Sequence, residues 1–292
     1  MAEHDPHAAK DPKAGPGTTG HEWDGIREFD NPLPRWWVLT FYGTIIWAVV
    51  YWVLMPAWPI PGGQTNGILG LSDRRTVATD VAALQAARAP QMALLTSVPL
   101  DAMAAHPEAG PVAQEVGRLA FAANCATCHG AGGAGAVGYP SLADDVWLWD
   151  GSLAGIRQTL DVGIRGEHPD TRYSAMPAFG RDGLLSREEV ADTAQYVLKI
   201  SGQTADARAA ARGQAVFAAN CTSCHGVDGR GDMTQGAPNL TDREWVFGGS
   251  AAAITGQIQN GRGGVMPAWE GRLDPATLNA IAVYVHGLGG GT

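Results

Sequence analysis

GRLAFAANCATCHG at 117–130 aligns without a gap on GQAVFAANCTSCHG at 213–226, an offset of 96 residues. The likeness continues outward from these stretches. DVWLWDGS (145–152) answers REWVFGGS (243–250), and MPAFG (176–180) answers MPAWE (266–270). By then the offset has fallen to 90, so the first copy carries a longer loop before its methionine. Each copy closes with a helical pattern. SREEVADTAQYVLKI (186–200) opens on a Ser186/Glu189 capping box and sets Val190, Ala194, Val197 and Leu198 on one face. DPATLNAIAVYVHGL (274–288) has Asp274 as N-cap, Pro275 at the first helical position, and Leu278, Ile281, Ala282 and Val285 as its apolar stripe. Self-similarity at this period predicts two tandem helical domains, at 111–202 and 203–292.

The four cysteines fall in two tight pairs, and the next residue completes Cys-x-x-Cys-His in each: Cys125, Cys128, His129 and Cys221, Cys224, His225. This is the signature of c-type haem attachment. Two thiols one helical turn apart reach both vinyl groups along one haem edge, and the adjacent imidazole swings beneath the ring to bind iron. A disulfide framework would spread its cysteines more widely. A thioredoxin-like thiol pair needs a strand–helix context, and a zinc site needs four ligands close together. The motifs therefore predict two covalently attached haem c groups, with His129 and His225 as axial ligands.

The sixth ligands are expected from Met176 and Met266, which lie 47 and 41 residues after the motif histidines and are each followed by proline. A thioether donor favours ferrous iron and raises the reduction potential, which suits an electron carrier. Met233, eight residues after His225 and without a counterpart in the first copy, is set aside. Spacing leaves the pairing open: by default each methionine serves the haem of its own domain, and a crossed arrangement in which each reaches the other haem is the alternative. With both irons closed by His and Met, no catalytic residue is assigned. Pro140 and Pro238 are positioned to offer a carbonyl to the axial imidazoles. Arg165 and Arg262 are candidates for haem propionates or simply surface charge. Gly117 and Gly213, four residues before Phe121 and Phe217, suit a close crossing of the first and last helices near Tyr196 or Tyr284.

From Trp36 to Pro56 the chain has no charged residue, and 21 helical residues span about 31 Å, enough to cross a bilayer core. Tryptophans 36, 37, 52 and 58 flank the run. The run lies too far from the N-terminus for a signal peptide, so residues 36–58 read as an uncleaved anchor. Lys10, Lys13, Arg27 and Arg35 precede it, whereas 57–73 contain no Lys or Arg. The positive-inside rule then puts residues 1–35 in the cytoplasm and the haem domains in the periplasm, single-pass across a bacterial inner membrane. Residues 1–20 read as disordered, 59–67 as a loop, Ser72 to Ala89 as a helix, and 59–110 as a linker with short helices. The net charge of −9 argues against a nucleic-acid partner; dispersed along the chain, it reads mainly as solvated surface, with attraction of a basic protein partner as the weaker reading.

The Gly-x-x-x-Phe, Cys-x-x-Cys-His, Pro-x-Leu, Met-Pro and terminal-helix sequence resembles class I cytochrome c domains. The chain from residue 18 onward resembles subunit III of the cbb3-type cytochrome c oxidases. The most specific stretch is TTGHEWDGIREFDNPLPRWW (18–37), joined by DDVWLWDGS and GIRGEHPDTRYSAMPAFG (163–180). The resemblance implies an all-α chain with one N-terminal transmembrane helix. It also implies a relay of electrons from a soluble cytochrome c to a monohaem cytochrome subunit, and on to the haem–copper subunit that reduces oxygen and moves protons. The chain would be the electron-input subunit, without catalysis of its own. Two other readings compete: a dihaem carrier anchored beside another complex, such as a quinone-linked dehydrogenase, and a dihaem peroxidase. Stretch 18–37 speaks against the first, and two closed His/Met irons against the second.

Overall fold

The computed structural model describes residues 17–289 and is mostly helical. Residues 1–16, with Lys10, Lys13 and most of the stretch expected to be disordered, lie outside the described residues, as do 290–292. The chain divides into two compact units, residues 1–84 and 85–292.

In the first unit, β1 (Thr18–Trp23) and β2 (Ile26–Phe29) form an antiparallel hairpin in which Trp23 faces Ile26. The turn is Asp24-Gly25, with φ of 48° and 83°, the double left-handed geometry that two-residue hairpins require. This corrects the expectation of disorder at 18–20. Helix α1 (Arg35–Leu54) follows, 20 residues with a mean hydropathy of 1.7 and no buried residue. It ends four residues before the expected Trp58. Proline at 56 disfavours helical geometry at the residue before it, and Met55 is extended at φ −110°, ψ 159°. The expected loop at 59–67 contains a minimal hairpin of β3 (Pro59–Ile60) and β4 (Gly63–Gln64).

Helix α2 (Asp73–Ser97) runs through Pro90, where sequence reading stopped it at Ala89. Proline removes one backbone hydrogen bond. Burial of Leu95, together with the bond from Asn279 Nδ2 to the Leu95 carbonyl at 2.9 Å, holds the turns beyond it. Short α3 (Leu100–Met103) leads into α4 (Ala109–Asn124), and Leu95, Met103, Ala109 and Ala113 pack with Ala276, Ala280 and Val283.

The remaining elements repeat. Helices α4, α5 (Ala126–His129), α6 (Leu153–Val162) and α7 (Arg187–Ile200) belong to the first copy; α8 (Ala207–Asn220), α9 (Thr222–His225), α10 (Ala251–Asn260) and α11 (Pro275–His286) belong to the second. Packing does not follow the copies. The main partner of α4 is α11, and that of α7 is α8. A Cβ on Gly117 would collide with the Ala280 carbonyl and with Tyr284, and one on Gly213 with the Asp192 carbonyl. Each first helix thus crosses the last helix of the other copy, at backbone contact distance. Phe121 meets Tyr284 in a tilted ring pair at 5.4 Å, and Phe217 meets Tyr196 likewise at 5.1 Å. Both phenylalanines are buried, each contributing about 2–3 kcal/mol of hydrophobic stabilisation. Arg212 adds a bidentate pair with buried Asp192, both bonds 2.6 Å, across α7 and α8.

The terminal helices start as their sequences require. Ser186 accepts from Glu189 N–H while the Glu189 carboxylate accepts from Ser186 N–H, and Asp274 caps α11 by accepting from Thr277 N–H at 3.0 Å. Their apolar stripes face two cores. One gathers Phe121, Cys125, Ile156 and Leu160 with Trp269, Leu278, Ile281 and Val285; the other gathers Phe217, Ile254 and Ile258 with Phe179, Val190, Ala194 and Val197.

Candidate functional site

The two Cys-x-x-Cys-His stretches fold alike. Each starts where α4 or α8 runs out: the Cys125 and Cys221 N–H groups donate to Phe121 and Phe217 carbonyls, and one further turn, α5 or α9, presents the second cysteine and the histidine. Cys125 is buried, Cys128 is exposed, and all four thiols are free. The loop that follows folds back so that Pro140 faces His129 and Pro238 faces His225, each with Nδ1 3.0 Å from the proline carbonyl. A carbonyl only accepts, so Nδ1 carries the proton and Nε2 keeps its lone pair. Burial pushes both imidazoles below the usual histidine value, against a smaller upward effect of the proline carbonyl. They are therefore neutral at pH 7 and ready to bind a metal. Burial also pushes the Cys125 and Cys221 thiols up to about 11.

Next to the first motif lies an apolar cleft of about 710 Å³, its open mouth included. Phe121, Cys125, His129, Pro140, Trp147 and Leu160 line it from the first copy, and Met266, Ile281 and Val285 from the second. Met266 is seated there by backbone pairing, since its N–H donates to the Ile164 carbonyl and its carbonyl accepts from Ile164 N–H. A Cβ on Gly163 would enter the Met266-Pro267 backbone, so only glycine admits the strand so close. The arrangement is reciprocal. Gly261 lies against Met176-Pro177 in the same way, and Met176, Cys221, Leu240 and Trp245 each border the second core. Met233 is exposed, away from both.

Of the sequence-predicted residues, the structure brings Cys125 and His129 together with Met266 in one cleft, and sets Cys221 and Met176 at the edge of one core. Arg165 donates to the Gly264 carbonyl at 2.6 Å and the Ser174 carbonyl at 2.9 Å, so it ties the loops of the two copies together. Sequence reasoning assigned no role to Trp147 and Trp245, which flank the two sites. Their recurrence at equivalent positions was the available signal.

An apolar cleft that offers a neutral imidazole and a thioether sulfur beside paired thiols has the donor chemistry of a haem c site. Helical repeats that each carry such a motif make the chain a c-type cytochrome. The family model described as cytochrome c oxidase, cbb3-type, subunit III matches residues 112–197 and 208–285, and that of the N-terminal domain of cytochrome oxidase-cbb3, FixP matches 15–61. The chain belongs to the cbb3-type cytochrome c oxidase subunit III family. It is 51% identical over 286 residues to the cbb3-type cytochrome c oxidase subunit FixP of Azorhizobium caulinodans, covering 98% of this chain and 97% of the relative. It is 50% identical over 277 residues to subunit CcoP of Cereibacter sphaeroides, covering 94% and 96%, and 46% identical over 289 residues to subunit CcoP of Azospirillum brasilense, covering 97% and 98%. The chain is therefore an electron-transfer subunit of a respiratory oxidase complex, and α1 fits its membrane anchor.

Proposed function

We propose that the chain carries two covalently attached haem c groups and relays single electrons from a soluble cytochrome c through a monohaem cytochrome subunit to the haem–copper subunit. Cys125 and Cys128 would hold one group and Cys221 and Cys224 the other. His129 and Met266 would hold the iron of the first group, and His225 and Met176 that of the second. The observation that carries this reading is Met266 lining the cleft of Cys125 and His129, with Met176 and Cys221 bordering the same second core. When bound, the group supplies a one-electron couple, and the thioether ligand favours its reduced state. The residues of the chain position and insulate it. The Pro140 and Pro238 carbonyls fix the imidazole tautomers, and Phe121, Phe217, Trp147 and Trp245 keep water from the clefts. Arg27 and Arg35 before the apolar run of α1, against none at 57–73, support a cytoplasmic N-terminus and periplasmic haem domains in the inner membrane.

The pairing is testable in a chain whose first motif is removed by Cys125→Ala and Cys128→Ala, leaving only the second haem. In that background Met176→Ala abolishes the sulfur-to-iron charge-transfer absorbance and Met266→Ala leaves it in place. The reverse pattern establishes pairing within each copy. Haem staining of the denatured full chain, with none retained, ends the covalent reading.

A further inference from the structure

The two sites are not equivalent at their sulfur atoms. On the last turn of α10, Gln257 points its side-chain nitrogen at two acceptors. Nε2 lies 2.8 Å from the Arg262 carbonyl and 3.8 Å from Met176 Sδ, within reach of the larger sulfur atom. The amide has two N–H bonds and spends one on each. Rotated by half a turn, it would set Oε1 against the Arg262 carbonyl oxygen, so the donor orientation is the only one that avoids two facing acceptors. Oε1 itself is buried without a partner among the described residues.

The counterpart in the first copy is Thr159, 98 residues earlier on α6 and aligned through the capping serines Ser152 and Ser250. Thr159 lines the cleft that holds Met266, but its hydroxyl donates to the Gly155 carbonyl of its own helix at 2.9 Å. From this position Met176 receives a hydrogen bond and Met266 receives none.

We infer that Gln257 is a positioning residue for Met176, whose N–H···S bond makes the Met176 site the more strongly oxidising of the two. The inference rests on the proposed role of Met176 as an axial ligand. A thioether sulfur has two lone pairs, one for a metal and one for an N–H donor. The donor withdraws electron density, which weakens sulfur donation to the electron-poorer oxidised metal more than to the reduced one. It also holds the thioether in a single orientation. Hydrogen bonding to a ligand atom is an established lever on metal potentials.

The test is a spectroelectrochemical titration of the full chain, resolving both haems, for wild type, Gln257→Leu and Gln257→Met. The second variant keeps side-chain volume and removes the donor. Both are expected to lower the potential of the Met176 site by a three- to tenfold change in its reduced-to-oxidised ratio, a tenfold change being about 59 mV for one electron. The Met266 site stays unchanged. Because the Arg262 loop leads to Met266, a purely structural effect of losing the second bond would appear at the Met266 site instead. That result overturns the inference, as does a wild-type potential in Gln257→Met. Met176→Ala separates the two layers. If it leaves both charge-transfer absorbances intact, the ligand reading fails; if it removes one while the Gln257 variants titrate as wild type, only the role of Gln257 fails.

Discussion

Single residues set the protonation and polarity of each site. His225 is buried and His129 half-buried, which favours the neutral imidazole, and a carbonyl acceptor then selects the tautomer. The histidines, and the candidate role of the Pro140 and Pro238 carbonyls, were legible because their spacing recurs in both copies. Gln257 was not, because an N–H···S contact between residues 81 apart has no local sequence signal. A surface residue gives the clearest pH prediction. The Ser186 N–H beside it, with a smaller effect from the serine hydroxyl, holds the Glu189 carboxyl below the usual glutamate value of 4.5. A folded value below the unfolded one means the stabilisation is complete above the unfolded value and is lost as pH falls through the folded one. The gap in Tm between wild type and Glu189→Ala is therefore expected to be wide at pH 6 and to narrow toward pH 3. Thermal melts at the two pH values check this, and a constant gap contradicts it.

Helices are placed here by glycine as much as by apolar stripes. The caps and stripes of α7 and α11 were readable, since capping chemistry and a 3.6-residue period are local properties. The Asp24-Gly25 hairpin was also written locally and passed unread, because the surrounding polarity resembled disorder. Pro90 misled for the opposite reason: tertiary burial of Leu95 outweighed a local breaker. Two substitutions separate these effects. Gly117→Ala drives a methyl group into the Ala280 carbonyl and is expected to destabilise by about 1–3 kcal/mol. Gly256→Ala, in α10 with nothing within 4 Å of the new methyl, is expected to stabilise by about 0.4–1 kcal/mol. Chemical denaturation of both variants measures the difference in sign.

At the scale of the whole chain, the packing of α4 on α11 and of α7 on α8 means that each core is completed by the other copy. A chain ending at residue 202 loses Ile281, Val285 and Met266 from the first cleft. Residues 1–202 and 203–292 expressed separately are expected to be unstable and haem-poor. Produced together they should complement each other and restore haem content, measured by staining and optical spectra; full stability of either half alone contradicts the exchange. By itself, the sequence determined the repeat, the attachment motifs, the two Met-Pro segments, the family and the apolar span, because each is carried by residues adjacent or periodic along the chain. Only the tertiary structure brought Met266 of the second copy into the cleft of Cys125 and His129. Pairing within each copy closes 47 and 41 residues and crossing closes 137 and 49, a difference of only about 1 kcal/mol in loop entropy. The choice is made by backbone contact at Gly117, Gly163, Gly213 and Gly261, a steric fit between segments far apart in the chain.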